Sequence, residues 1–506
     1  IYVDGEKTAS GPAATFAMVS DINSMNIGRN LDSKPSGEWY YNGEIEFIRI
    51  YNKAISDKMA RELTQSPDYT PVLIGYTIPF IDLSKDTSRQ ILVDKEDGQY
   101  LGHPDSVLLD DGKTIITVYP KGHGVGPIVM KKSTDGGLAW SERLDVPESW
   151  ADSQETPTIY KIEKPDGTTR LLLISGLPRG SGGFKTSYSD DNGETWTEFE
   201  HHFSDTGFYG IVAHASLTRL KKPDGTWDHK YMAVFHDWNY NNWKTYLTFD
   251  EDGNMQWSYP ERLLAEHDDI EKYAQLCEIE IIRSPDGKQL ALLARAQAKK
   301  TNAMIAFSDD EGETWSEPME MQGALMGERH KAEYDPVSGR LLITFREIIR
   351  DPENPTEWVA GDWVAWVGTY DDLVNNREGQ YRVRLMEDFT PTVKSGDCGY
   401  AGNVVLEDGT FVLTSYGYWD PSYNNPYIMT IRLKLSELDE IYRAYKFDLN
   451  NNGKVDIGDL GIVSRYYGYD SLSSDWENAQ KADINQDDRI GIEDLVLVAS
   501  EILRKD

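Results

Sequence analysis

Ionisable or phenolic side chains head one apolar strand after another through the middle of this chain: His103 with Asp105, Glu155, His214, Glu278, Arg329 and Tyr400. The strands that follow end on a second set, Tyr119 and His123, Arg179, His236 with Asp237, Arg295, Arg346, and Tyr416 with Tyr418. In an antiparallel hairpin the entry to the first strand and the exit from the second lie at the same end, so the two sets share one rim. A packed core would place aliphatics at these positions. Imidazoles, carboxylates, phenols and guanidinium groups together point instead to a polar active site. Arginine grips a carboxylate through two parallel hydrogen bonds. Histidine exchanges protons near neutral pH without a shift, whereas Glu or Asp needs burial to raise its pKa before it serves as an acid.

What must position these residues is a repeated hairpin: an apolar strand, a Gly-containing turn, and another apolar strand. The turns fall at Asp111-Gly112, Asp166-Gly167, Asp224-Gly225, Asp286-Gly287, Ser338-Gly339 and Asp408-Gly409, at intervals of about 50 to 70 residues. Six units of one four-stranded sheet each predict a mainly β fold, a six-bladed β-propeller over residues 67–437, which closes radially and leaves only short edges. A second repeat keeps step with the turns. Residues 133–140 (STDGGLAW), 189–196 (SDDNGETW) and 308–315 (SDDEGETW) match S-x-D-x-G-x-x-W, and 248–257 (TFDEDGNMQW) is a copy with insertions. In this pattern Asp accepts from turn N–H groups, Gly takes a left-handed backbone, and Trp packs between sheets.

These repeats are similar to the Asp boxes of the sialidase (neuraminidase) superfamily, where they are structural. The resemblance implies a Glu on the blade-four strand, an Arg on its hairpin partner, a second Arg on the blade-five strand and a nucleophilic Tyr on the blade-six strand. Glu278, Arg295, Arg329 in GERHK, and Tyr400 in DCGYAGNVVLEDG match each in turn. In that family the attacked anomeric carbon bears a carboxylate that would repel an anionic nucleophile. A neutral Tyr, deprotonated by Glu, replaces the usual carboxylate, and the arginines hold the substrate's acid. The chain departs from the pattern in blade one. Gly102-His103-Pro104 stands where the family has Arg-Ile-Pro, and HGVGPIVMKK stands where its catalytic Asp is expected. His103, Asp105, His123 and Glu155 are the candidates to replace that acid.

Net charge is −34, from 85 acidic against 51 basic residues, which argues against a nucleic-acid backbone as partner. No apolar run approaches the length of a membrane span. Aromatics reach 11%, a level that suits β-structure and the stacking of rings on sugar faces. The two cysteines, Cys277 and Cys398, give no disulfide framework and are expected as buried thiols.

Residues 1–66 read as short strands, and NIGRN followed by GEWYYNGEIEFIRIYN resembles the last third of a laminin-G/concanavalin-like jelly roll. A sandwich of that kind needs about twice this length, so a partial domain is expected there. Residues 438–506 change to helix and acidic loop. Asp448, Asn450, Asn452, Lys454, Asp456 and Asp459 fall at positions 1, 3, 5, 7, 9 and 12 of a calcium loop, with Gly453 at position 6. A duplicate follows at Asp483, Asn485, Asp487, Arg489 and Asp494, with Asp488 in place of the Gly and Gly491 at position 9. Two such loops, each leading into an amphipathic helix, resemble a type I dockerin. That implies two calcium ions, a cohesin partner on a scaffoldin, and secretion. The recognition positions of that family are here Ile457-Gly458 and Ile492-Glu493. The expectation is a secreted, exo-acting, retaining glycoside hydrolase that needs no cofactor for catalysis and releases a terminal acidic sugar. A polysaccharide lyase acting on a uronate and a non-catalytic sugar-binding propeller stay open beside it.

Overall fold

Strands such as Ile115–Pro120, buried along their whole length, belong to sheets covered on both faces, and stacked blades provide that cover. The computed structural model describes residues 75–504 except 77, 179–181, 205, 207–210, 351–357, 392–395, 451–453 and 486, but not the side chains of 211–215, 350, 444, 445 and 477. It also describes two short pairings near the start, Tyr2–Val3 with Glu6–Lys7 and Arg29–Asn30 with Trp39–Tyr40. The rest of the predicted jelly roll, residues 1–66, lies outside the described residues.

Six sheets form the predicted propeller. Their innermost strands are Asp105–Leu108, Thr158–Glu163, Ile211–Lys221, Leu276–Arg283, Gly327–Tyr334 and Ala401–Val405. Each turn found in the sequence joins an innermost strand to the next, and each turn Gly has the left-handed backbone expected of it, from φ 71° at Gly112 to φ 83° at Gly225. The blades are less uniform than the repeat implies. Blade one has three strands, and two strands from the connector that leads into it join blades five and six, the last of the ring. Phe80–Asp82 pairs in parallel with Tyr381–Met386 as a fifth strand of blade five. Gln90–Asp94 pairs antiparallel with Tyr427–Lys434 and completes blade six. The blade-six edge is therefore covered by chain that leads into blade one, which ties the first segment of the ring to the last. On the inside the same seam is close-packed: a Cβ on Gly402 would fall 2.3 Å from the backbone nitrogen of Ser106.

Apolar side chains between blades hold the stack. Leu293 and Ile305 of blade four meet Ile343, Phe345 and Trp366 of blade five, all at or below 1% exposure. Burial of each such side chain stabilises by about 1.5–3 kcal/mol. The Asp boxes supply a second kind of seam. Their Asp oxygens accept turn N–H groups, as at Asp191 from Thr195 and Asp310 from Thr314, both 2.9 Å. Their glycines press on the second strand of the preceding blade. A Cβ on Gly137, Gly193 or Gly312 would meet Val412, Ile116 or Met232 within 2.8 Å.

After the ring, helix Leu435–Phe447 lies against blade five, where Asp439 accepts from both Arg340 terminal nitrogens, at 2.7 and 2.8 Å, and from Tyr381 at 2.8 Å. Helices Ile457–Arg465 and Ile492–Leu503 then enclose a small core of Leu449, Val463, Tyr466, Ile484, Ile490 and Val498.

Candidate active site

Three non-glycine residues at the heads of innermost strands have left-handed backbones: His103 (φ 55°), Glu278 (φ 50°) and Arg329 (φ 57°). The conformation costs an ordinary residue about 1–2 kcal/mol. In blades four and five it coincides with register breaks, between Cys277 and Glu280 and between Glu328 and Lys331. Such a bulge re-aims a side chain that strand alternation would send elsewhere.

Tyr400 stands at the centre. Its hydroxyl donates to Glu278 Oε1 at 2.5 Å, and Arg295 Nη1 reaches both groups, at 2.8 Å to Glu278 Oε1 and 3.2 Å to Tyr400 Oη. Burial alone would raise Glu278, but Arg295, Arg329 and the Tyr400 hydroxyl outweigh it and bring the carboxyl down to about 2. The Tyr400 phenol is pushed up, by burial first and then by the Glu278 charge. At rest Glu278 is therefore an anion and Tyr400 keeps its proton. The Arg329 guanidinium lies over the Tyr400 ring at 5.5 Å.

Glu328, beside Arg329 in the sequence, gathers the remaining basic side chains. Arg346 donates to it through Nε at 2.9 Å and through Nη2, Arg295 Nε lies 3.1 Å away, and Lys299 closes on it as well. Arg295 and Arg346 are thus engaged by protein carboxylates. Arg329 Nη1, by contrast, is buried without a hydrogen-bond partner, and so are Glu278 Oε2 and His236 Nε2. A buried polar atom left unpaired costs about 1–3 kcal/mol. These atoms, with Arg295 Nε, Lys299 Nζ and Glu328 Oε1 also lacking a hydrogen bond, leave capacity around one tyrosine for a ligand's hydroxyl and acid groups.

The predicted residues divide. His103, His123, Glu278, Arg295, Arg329 and Tyr400 come together, and Glu155 lies near enough to act on the charge of His123. Asp105 does not join them. Its Oδ2 accepts the Ile159 N–H at 2.9 Å and joins blade one to blade two, in a buried group with Lys331 and Glu280. His103 is in the pocket, but both of its ring nitrogens are engaged, by Gly124 N–H and by Tyr416, so it has no nitrogen left for an acid–base role. Tyr119 faces away and donates to Asp94 at 2.5 Å, because alternation turns it towards the blade-six seam. Arg179 and the side chain of His214 lie outside the described residues.

Asp397 was not singled out from the sequence, although it is three residues before Tyr400. Tyr416 donates to its Oδ1 at 2.8 Å and Tyr100 to both oxygens at 2.9 Å, with His123 Nδ1 3.4 Å away. Burial would raise this carboxyl, but His123, His103 and Tyr416 hold it at about 2. A carboxylate so close to the expected nucleophile was the available signal. Its segment has no strand pattern to show which way it points.

In the C-terminal loops the position-12 carboxylates fasten loop backbone to helix. Asp459 accepts from Asn450 and Asp456, at 3.0 and 2.8 Å, and Asp494 accepts from Ile484, Asn485 and Gly491, at 2.7, 3.1 and 2.7 Å. Asp456 caps helix Ile457–Arg465 through Gly458 N–H at 2.7 Å. Among the described residues no three His, Cys, Asp or Glu side chains already converge on one point, and Asn452 lies outside them. The second loop still suits a hard cation. Burial, followed by the charges of Asp494 and Asp487, holds Asp483 above the usual carboxylate value, and a Ca²⁺ ion would relieve that repulsion with oxygen donors of the right kind. Asp488, at the sixth position, has the left-handed backbone (φ 65°) that Gly takes in such loops.

The chain is a six-bladed β-propeller carrying BNR-type repeats, followed by a dockerin type I domain. The BNR repeat-like domain matches residues 128–326 and the dockerin type I domain matches residues 446–503. A sialidase of Clostridium perfringens is 26% identical over 212 residues, covering 35% of this chain and 54% of the relative. The chain therefore spans about half the length of the curated relative it matches. Among solved structures, a protein of unknown function from Dyadobacter fermentans has a TM-score of 0.49 at 16% identity, covering 68% of this chain and 98% of that one. The intramolecular trans-sialidase of Ruminococcus gnavus has a TM-score of 0.44 at 14% identity, covering 67% and 95%.

Proposed function

We propose that the propeller is a retaining, exo-acting glycoside hydrolase that releases a terminal acidic sugar, with Tyr400 as nucleophile and Glu278 as its base. The observation that carries this reading is the 2.5 Å hydrogen bond from Tyr400 to Glu278 inside an arginine-rich pocket. Attack of Tyr400 Oη on the anomeric carbon needs the phenolic proton to pass to Glu278, which at rest is too weak a base to take it. The substrate supplies the missing drive. Its carboxylate, seated on Arg329 Nη1 beside Arg295, neutralises the charges that hold Glu278 down, and the carboxyl's proton affinity rises as the complex forms. An acidic substrate is thereby required for chemistry as well as for binding, and His236 Nε2 accepts one of its hydroxyls.

The dockerin-type module takes two Ca²⁺ ions. Asp448, Asn450, Asn452, Asp456, Asp459 and the Lys454 carbonyl would hold one; Asp483, Asn485, Asp487, Asp494 and the Arg489 carbonyl would hold the other. The module attaches the enzyme to a cohesin outside the cell. The described residues contain no helix long and apolar enough to cross a membrane.

Digestion of a panel of acidic glycans with mass-spectrometric readout tests the proposal. A released terminal sugar with added water is the expected product. An unsaturated product absorbing in the near ultraviolet would make the site a lyase, and binding without any release would make it a lectin.

A further inference from the structure

We propose that His123 is the acid–base catalyst of this site and that Asp397 positions it. The inference rests on the glycosidase reading and supplies the half of the reaction that Glu278 and Tyr400 leave open.

Hydrogen positions follow from the heavy atoms. Gly124 N–H donates to His103 Nδ1 at 3.2 Å, so the ring proton of His103 sits on Nε2 and goes to Tyr416 Oη, also 3.2 Å away. Tyr416 in turn gives its proton to Asp397 at 2.8 Å. Tyr100 Oη, 2.9 Å from both Asp397 oxygens, spends its proton there as well, so its 2.7 Å contact with His123 Nδ1 is one it accepts. His123 therefore keeps a fixed proton on Nδ1 and titrates at Nε2.

Two histidines are thus tied through two tyrosines to one carboxylate, with opposite outcomes. His103 is enclosed, and burial, then the neighbouring His123, pushes it down to about 3, so it stays neutral. The His123 side chain is 66% exposed, and the Asp397 carboxylate, 3.4 Å from its Nδ1, holds it above its ordinary value. The other charged groups acting on it are Arg346, which lowers it, and Glu155, which raises it; the rings of Tyr100 and His103 complete its surroundings. The centroid of His103 lies 4.6 Å from the rings of both His123 and Tyr400. His103 thus touches both rings and stands between the two groups that would act on one glycosidic bond.

In the first step Tyr400 Oη bonds to the anomeric carbon and its proton passes to Glu278. The bond to the leaving oxygen breaks, and that oxygen takes the Nε2 proton of His123. In the second step His123 removes a proton from water, the water oxygen displaces Tyr400, and the phenolate recovers its proton from Glu278. One water is consumed per glycosidic bond, and no oxidant or reductant is needed.

The test uses the full chain and matched substrates in which N-acetylneuraminic, glucuronic or galacturonic acid is carried either on 4-methylumbelliferone or on lactose. A phenolic leaving group departs with little protonation and an alkyl one does not. His123→Ala is expected to lower kcat/KM by about 10²–10⁴ on the lactose conjugate and less than about 10-fold on the aryl one. His123 acts as an acid below its raised pKa, so activity falls as pH climbs through that value. Asp397→Asn should move this alkaline limb to lower pH. Equal losses on both leaving groups, or an unmoved limb, would overturn the role of His123 and leave the glycosidase reading intact. Failure of the unaltered protein on every pair would take both down.

Discussion

Tyr400 and Glu278 share one short hydrogen bond, yet burial and charge drive their proton affinities in opposite directions. Removing the phenol oxygen removes the nucleophile while leaving the ring that Arg329 covers. Tyr400→Phe is therefore expected to lower turnover at least about 10³-fold with an unchanged thermal midpoint. A midpoint that falls with activity would make the residue structural. Glu278 also leaves a signature in acid. Its folded pKa of about 2 lies below its ordinary 4.5, so the stability it contributes is complete above the ordinary value and is lost as pH falls towards 2. Urea midpoints followed from pH 5 to pH 2 should fall less steeply in Glu278→Gln than in the unaltered protein; parallel curves would contradict the assignment. At this scale the sequence was informative wherever a residue sat at a fixed offset from its turn, as Glu278, Arg329 and Tyr400 do. Asp397 and Glu328 were harder to find. Asp397 lies in irregular chain, and Glu328 is brought to the arginines by a bulge that period-two reasoning does not foresee.

The elements were legible through the turns and Asp boxes because both carry fixed backbone requirements. Asp, Gly and Trp at set spacing specify a turn, and the turn repeats once per blade. What the pattern hid was the short connector strands. Phe80–Asp82 and Gln90–Asp94 have too few residues to show alternation, and only the open edges of blades five and six recruit them. Tyr119 turns away from the funnel for a related reason, since its partner Asp94 lies on one of those strands. The Asp box carries a prediction of its own. Gly193 has φ 81°, and a Cβ there would lie 2.4 Å from Ile116 Cδ1, so Gly193→Ala combines left-handed strain with a forced shift of the Ile116 side chain. A loss of about 1–2 kcal/mol is expected in urea unfolding. An unchanged midpoint would show that the box does not join blades.

For the whole molecule, ring and calcium module have separate cores. Chelation should act on one of them. Calorimetry of the full chain with EDTA is expected to lower or abolish the transition of the C-terminal module and leave the propeller's transition and catalytic rate where they were. A shift in the propeller transition would instead place a metal in the ring. Covalent chemistry at Tyr400 can be caught by trapping. Incubation with fluorinated acidic glycosyl fluorides that slow the second step, followed by peptide mass spectrometry, should find one glycosyl adduct on the peptide containing Tyr400, and none in Tyr400→Phe. Turnover with no adduct, or with an adduct on another residue, would contradict the account.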